Sequence, residues 1–104
     1  VGKVIYLSMI GRFIYVFDRL SASGVPILDS LKTAIGIVEN RYLKQRLNEI
    51  IGAIEEGRSL TDGFRDTKQF ESMVIQMISA GESSGSLSGM LDKISDIYRK
   101  KYSY

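Results

Sequence analysis

With 104 residues, the chain is long enough for one hydrophobic core and too short for two. Its composition, 44% hydrophobic and 25% charged, suits a globular fold and argues against disorder. A net charge of +2, from 14 basic and 12 acidic side chains, is too balanced to imply nucleic acid as a partner.

Only one proline is present, and apolar residues recur at spacings of three and four, so the pattern is helical throughout. The first helix spans about Lys3 to Ala22. It gathers Tyr6, Met9, Ile10, Phe13, Val16, Phe17 and Leu20 on one face, with Ser8, Arg12, Asp18 and Arg19 opposite. Val4 and Leu7 lie off the buried face and are candidate partner contacts. Gly24 can take the left-handed conformation that ends a helix, and Pro26 suits the first turn of the next. The second helix aligns Ile27, Leu28, Leu31, Ala34, Ile35 and Val38 and leaves Ile37 on the other side.

Asn40 is the N-cap of a third helix whose stripe is Leu43, Leu47, Ile50, Ile51 and Ile54. Gly57 stops it. Ser59-Leu60-Thr61-Asp62 reads as a capping box, with Asp in place of Glu, opening a short fourth helix that carries Leu60 and Phe64 and ends near Asp66. The fifth helix is expected over about Lys68 to Gly81, burying Phe70, Met73, Val74, Met77 and Ile78 and leaving Ile75 outside. Ala80-Gly81-Glu82-Ser83-Ser84-Gly85-Ser86-Leu87 then forms a junction in which Gly81 and Gly85 permit the turn and Glu82 sits at the bend. Leu87, Met90, Leu91, Ile94, Ile97 and Tyr98 mark the sixth helix, which ends in the basic run Arg99-Lys100-Lys101. Short connections favour antiparallel neighbours, so the fold class is all-α: a compact antiparallel bundle of about six helices, in one domain over residues 1–104.

The residues offer little for chemistry. The chain has no cysteine and no histidine, which removes disulfides, thiolate metal sites and the commonest general base. The carboxylate pairs Glu55-Glu56, Asp62-Asp66 and Asp92-Asp96 read as solvated faces. Gly81 to Gly85 lacks the Lys-Ser/Thr and the preceding strand of a phosphate loop, and Ser83, Ser84 and Ser86 have no histidine to activate them. Met73, Met77 and Met90 read as core filler. No catalytic residue, cofactor or metal site is predicted. No apolar run approaches the roughly 20 residues of a membrane span.

Five segments in order carry a resemblance. Arg12-Phe13, Leu20 to Leu31 with Gly24-Val25-Pro26-Ile27, Asn40-Arg41-Tyr42-Leu43, Gly57-Arg58-Ser59-Leu60-Thr61, and Val74 to Leu87 followed by Met90-Leu91 resemble the F domain of inner-membrane platform proteins of type IV pilus and type II secretion machinery. It covers about residues 12 to 98. One departure stands out: the position after Leu87, often acidic in the family, is Ser88 here.

The resemblance implies a non-enzymatic cytoplasmic domain, one of two copies in a longer polytopic protein of the bacterial inner membrane, tied to the bilayer by flanking segments outside this chain. It implies contacts with an assembly ATPase, self-association as a homodimer or higher oligomer, and contacts with pilin or pseudopilin and other inner-membrane assembly proteins. The implied role is to couple the ATPase to pilin movement during protein transport or pilus biogenesis. Val1-Gly2-Lys3 resembles the linker entering the second copy. Gly24, Pro26, Gly57, Gly81, Glu82 and Gly85 are the structural motif, and Val4, Leu7, Ile37 and Ile75 the candidate partner interface. The alternative is a divalent-cation-responsive oligomerisation domain of the same machinery, with Glu82 as a ligand.

Overall fold

The computed structural model describes residues 2–102; Val1, in the stretch read as a linker, lies outside them. Among the described residues the chain forms six α-helices: α1 (Lys3–Ala22), α2 (Ile27–Gly36), α3 (Arg41–Glu55), α4 (Leu60–Thr67), α5 (Ser72–Ser84) and α6 (Leu87–Tyr102). The all-α bundle expected from the periodicity is what forms. Asn40 caps α3 by accepting the Leu43 N–H at 2.8 Å, and Ser59 caps α4 by accepting the Asp62 N–H at 2.9 Å. The reciprocal arm of the predicted capping box gives way to charge pairing: Asp62 faces Arg65 at 3.1 Å and Arg58 at 3.9 Å. Gly24 and Gly57 take φ of 97° and 81°, and Pro26 stands immediately before the first residue of α2.

The helices lie between two poles. At one, Lys3 and Leu7 of α1 meet Tyr98 and Tyr102 of α6, beside Gln69 and Glu71 from the α4–α5 connection. The Tyr6 hydroxyl donates to Gln69 Oε1 there, and burial, then the nearby Tyr42 at the start of α3, disfavours its ionised form. At the other pole, Ile27 of α2, Ile54 of α3, Leu60 of α4, Glu82 of α5 and Leu87 of α6 border one depression. α1 therefore runs antiparallel to α6 and packs against α2 as well, while α4 bridges α3 and α5.

The core is one cluster drawn from all six helices. Phe13, Phe17 and Phe64 are fully buried at ring separations of 6.1–6.3 Å, and Phe64 also meets Phe70 at 4.8 Å. Each such side chain contributes about 1.5–3 kcal/mol of transfer free energy before entropy is deducted.

Two faces are rotated from the sequence expectation. In α1, Ile14 is fully buried, and Ser8 and Asp18, placed on the outer face, are buried too. The reason is that α2 and α6 cover adjacent flanks of α1, widening its buried arc. In α5, Ile75 is buried within the core cluster, whereas Met73 is 45% exposed. Ile75 is therefore not an outward-facing contact, and Met73 is not core filler. α5 begins later than expected, because Lys68, at φ 57°, ends α4 with a left-handed residue and Gln69-Phe70-Glu71 link the two helices, and it runs on to Ser84, where the left-handed Gly85 ends it.

Candidate functional site

The glycine-serine stretch is mostly helix. Gly81, Glu82, Ser83 and Ser84 form the last turn of α5, and only Gly85 and Ser86 separate it from α6. Gly85 makes the turn, at φ 74°, ψ 18°, a conformation that a side chain would strain. Gly81 has a different task from the one its spacing suggested. A Cβ there would stand 3.0 Å from Leu87 Cα and 3.0 Å from Met90 Cγ, so Gly81 lets α5 and α6 approach. The serines serve the helix end: Ser83 Oγ donates to the Ser79 carbonyl at 2.9 Å, Ser84 Oγ to the Ala80 carbonyl at 2.7 Å, and Ser86 N–H to the Gly81 carbonyl at 2.9 Å.

Glu82 crosses to α4. Its Oε2 accepts the Leu60 N–H at 2.8 Å, and its Oε1 accepts the Thr61 N–H at 3.0 Å and the Thr61 hydroxyl at 2.6 Å. Together with Ser59, it satisfies three of the N–H groups that the start of a helix leaves unpaired, and its negative charge sits at the positive end of the helix dipole. The opposite end of α4 is held by a cation. Arg46 of α3 donates Nε–H to the Thr67 carbonyl at 3.1 Å and Nη2–H to the Asp66 carbonyl at 3.3 Å, and it pairs with Glu49 at 2.8 Å. An eight-residue helix is too short to persist alone in water. α4 is thus held by a carboxylate from α5 at its N-terminus and a guanidinium from α3 at its C-terminus.

Beside the clamp, Ile27, Ile54, Leu60 and Leu87 line the apolar depression at this pole, with Arg58 and Glu82 on its rim. Arg58 is turned along α4, at 2.6 Å from Asp66, and it holds the Asp66 carboxyl below the usual carboxylate range. The carboxylate pair Asp62-Asp66 is therefore neutralised by two arginines, Arg58 on Asp66 and Arg65 on Asp62. Asp96 likewise pairs with Arg99 at 2.6 Å.

Asp92 of α6 instead faces Asp18 of α1. Asp18 is 1% exposed, and its Oδ1 has no hydrogen-bond partner among the described residues. Burial, then the charge of Asp92, pushes its carboxyl up from the ordinary aspartate value; Arg19 and a hydrogen bond with Ser88 act the other way.

Of the proposed partner contacts, Val4 is 59% exposed and Ile37 48% exposed, Leu7 is half-buried against the core, and Ile75 is in the core. Sequence reasoning missed Leu60 and Thr61 as partners of Glu82, Arg46 as the second clamp, and Asp18 as a buried acid. Among the described residues, no three acidic side chains converge on a point that could hold a metal ion. No described helix is long and apolar enough to cross a membrane.

Fold and site together define a one-core helical module whose polar junction clamps its own shortest helix. The chain belongs to the type II secretion system protein F family: the family model described as "Type II secretion system (T2SS), protein F" matches residues 13–104. It is 37% identical over 97 residues to a type IV pilus assembly protein PilC of Myxococcus xanthus, covering 93% of this chain and 23% of that protein. It is 33% identical over 96 residues to a type II secretion system protein F of Vibrio cholerae, covering 92% of this chain and 24% of that protein. A PilC of Pseudomonas aeruginosa is 33% identical over 100 residues, covering 96% of this chain and 27% of its own length. The chain thus spans about a quarter of the length of these relatives.

Proposed function

We propose that this chain is a cytoplasmic domain of an inner-membrane platform protein for type IV pilus or type II secretion pseudopilus assembly, and that it works as a scaffold rather than an enzyme. It binds an assembly ATPase and further copies of itself, and passes ATPase movement on to pilin through protein–protein contacts. The observation that carries this reading is family membership over residues 13–104, with relatives named for both machineries. The surface is compatible with it. Ile37 stands out at the end of α2 and, with Arg12, Tyr15 and Val16 of α1, borders an apolar depression suited to a partner helix.

The test is Ile37→Glu in the full-length protein. The site is exposed, so the fold should change by no more than about 0.5 kcal/mol. Co-purification with the assembly ATPase, or self-association in sedimentation, should fall, together with piliation or secretion. Wild-type values in all of these would remove this face from the scaffold reading. The cation alternative finds little support at Glu82, where both oxygens already accept donors from α4.

A further inference from the structure

Two hollows open side by side on the flank where α1 meets α2 and α6. One is bordered by Met9 and Arg12 of α1 and by Ile37 and Glu39, just past α2. The other is bordered by Arg12, Tyr15 and Val16 of α1, by Ile37, and by Arg99 of α6. Arg12 and Ile37 belong to both, so the hollows form one furrow along α1. From Met9 to Val16 it follows two helical turns, about 10 Å. Tyr15 and Ile37, 51% and 48% exposed, present apolar surface along it.

The charge along the furrow is positive. Arg12 is exposed and takes part in none of the ion pairs among the described residues. Arg99 pairs with Asp96 at 2.6 Å, yet its side chain stays 57% exposed. Arg19 stands two turns beyond Arg12 and continues the same face of α1. α1 offers no exposed acid, because Asp18, its one acidic residue, is buried. Of the residues bordering the furrow, Glu39 is the acid, at the Met9 end.

Shape and charge select the occupant. An extended segment would add to a sheet edge, and the described residues form no strand to offer one. A helix arrives with its backbone bonds already made and needs only a groove and side-chain contacts. A second copy related by two-fold symmetry would set Arg12 and Arg99 against the same two arginines, and like charges across an interface repel. An acidic partner turns the same arginines into attractive contacts. Tyrosine and arginine are also the residue types that concentrate binding energy once covered.

We infer that the furrow receives an acidic amphipathic helix from another protein. Apolar side chains one turn apart on that helix cover Tyr15, Val16 and Ile37, and flanking carboxylates pair with Arg12 and Arg99. Glu39 repels acids at its own end, so the carboxylates gather toward Tyr15 and Arg99. This rests on the scaffold reading, to which it adds the chemistry of the partner.

The experiment is fluorescence anisotropy with the 104-residue chain, whose single core is drawn from all six helices. The probes are two labelled alanine-based peptides of about four helical turns. Both carry leucine at positions i, i+3 and i+7; glutamates flank the leucines in one and lysines in the other. The glutamate peptide should bind at least about tenfold more tightly than the lysine peptide, and should weaken between about 50 and 300 mM salt. Arg12→Glu with Arg99→Glu should lower its affinity by at least about tenfold. Lys68→Glu, at the end of α4, which packs on α3 and α5 rather than on α1, should leave it within about twofold. Should the double reversal not fold, as judged by circular dichroism, Arg12→Gln with Tyr15→Ala takes its place, with a loss of at least about fivefold expected. Equal binding of the two peptides, binding of neither, or wild-type affinity in a folded furrow variant overturns the inference. So does self-association in sedimentation that Arg12→Glu abolishes, which gives the furrow to a second copy. The scaffold reading fails separately, through Ile37→Glu in the full-length protein. Lost co-purification in that variant without any peptide preference keeps the scaffold and strikes the acidic helix; the reverse pattern keeps the acidic-helix seat and removes it from the assembly.

Discussion

Asp18 is the residue whose chemistry fits its surroundings least well. A buried carboxyl with one oxygen unpartnered and a second acid facing it favours its protonated form. The native state therefore holds this proton more tightly than the unfolded chain. The stability Asp18 contributes is complete below the ordinary aspartate value near 4 and is lost as pH rises through the higher folded value. Asp18→Asn should remove that loss, raising stability at neutral pH by about 1–3 kcal/mol. Denaturant midpoints followed from about pH 4 to 7 should fall with pH for the wild type and stay flatter for the variant. Parallel curves would show that Asp18 is already well solvated.

At the scale of the helix, α4 is the informative element. Glu82→Ala removes the acceptor for Leu60 N–H, Thr61 N–H and the Thr61 hydroxyl. It should cost about 1–3 kcal/mol, a Tm drop of several degrees in a domain of this size. Arg46→Ala should cost about 1 kcal/mol by freeing the other end. Hydrogen exchange should show faster protons in α4 in both variants, with α1 and α6 little changed. Equal acceleration across all six helices would mean that α4 does not open by itself. Much of this element was readable from the sequence: Ser59, the short span and the core residue Phe64 all stand where the pattern put them. The clamp was not readable, because Glu82 and Leu60 are 22 residues apart and no periodicity links them. The signal was indirect: an eight-residue helix with one serine cap leaves N–H groups wanting an acceptor. Ser8, Asp18 and Ile75 were misplaced for a related reason. The width of a helix's buried arc is set by how many neighbours flank it, and the sequence of one helix does not contain that number.

Over the whole molecule, the close approach of α5 to α6 depends on Gly81. A Gly81→Val side chain meets the backbone at Leu87 as well as Met90, so a rotamer change alone cannot make room. The expected result is a loss of about 1–3 kcal/mol from overpacking, read as a lower denaturant midpoint. Retention of the wild-type midpoint would show that the two helices can separate freely. Helix existence and chain order were legible because each long helix carries its own stripe. The antiparallel seating of α1 on α6, which creates the two poles, joins residues from opposite ends of the chain and emerges only in three dimensions.

The two-ended hold on α4 also sets an order of failure. α3 and α5 can each lose a clamp without losing their own hydrogen bonds, whereas α4 loses what holds it in place. Under heat, denaturant or a pull on the end of α5, α4 should therefore be the first piece to detach. It would detach as a unit, drawing Phe64 away from Phe13 and Phe17 and admitting water to the centre of the bundle.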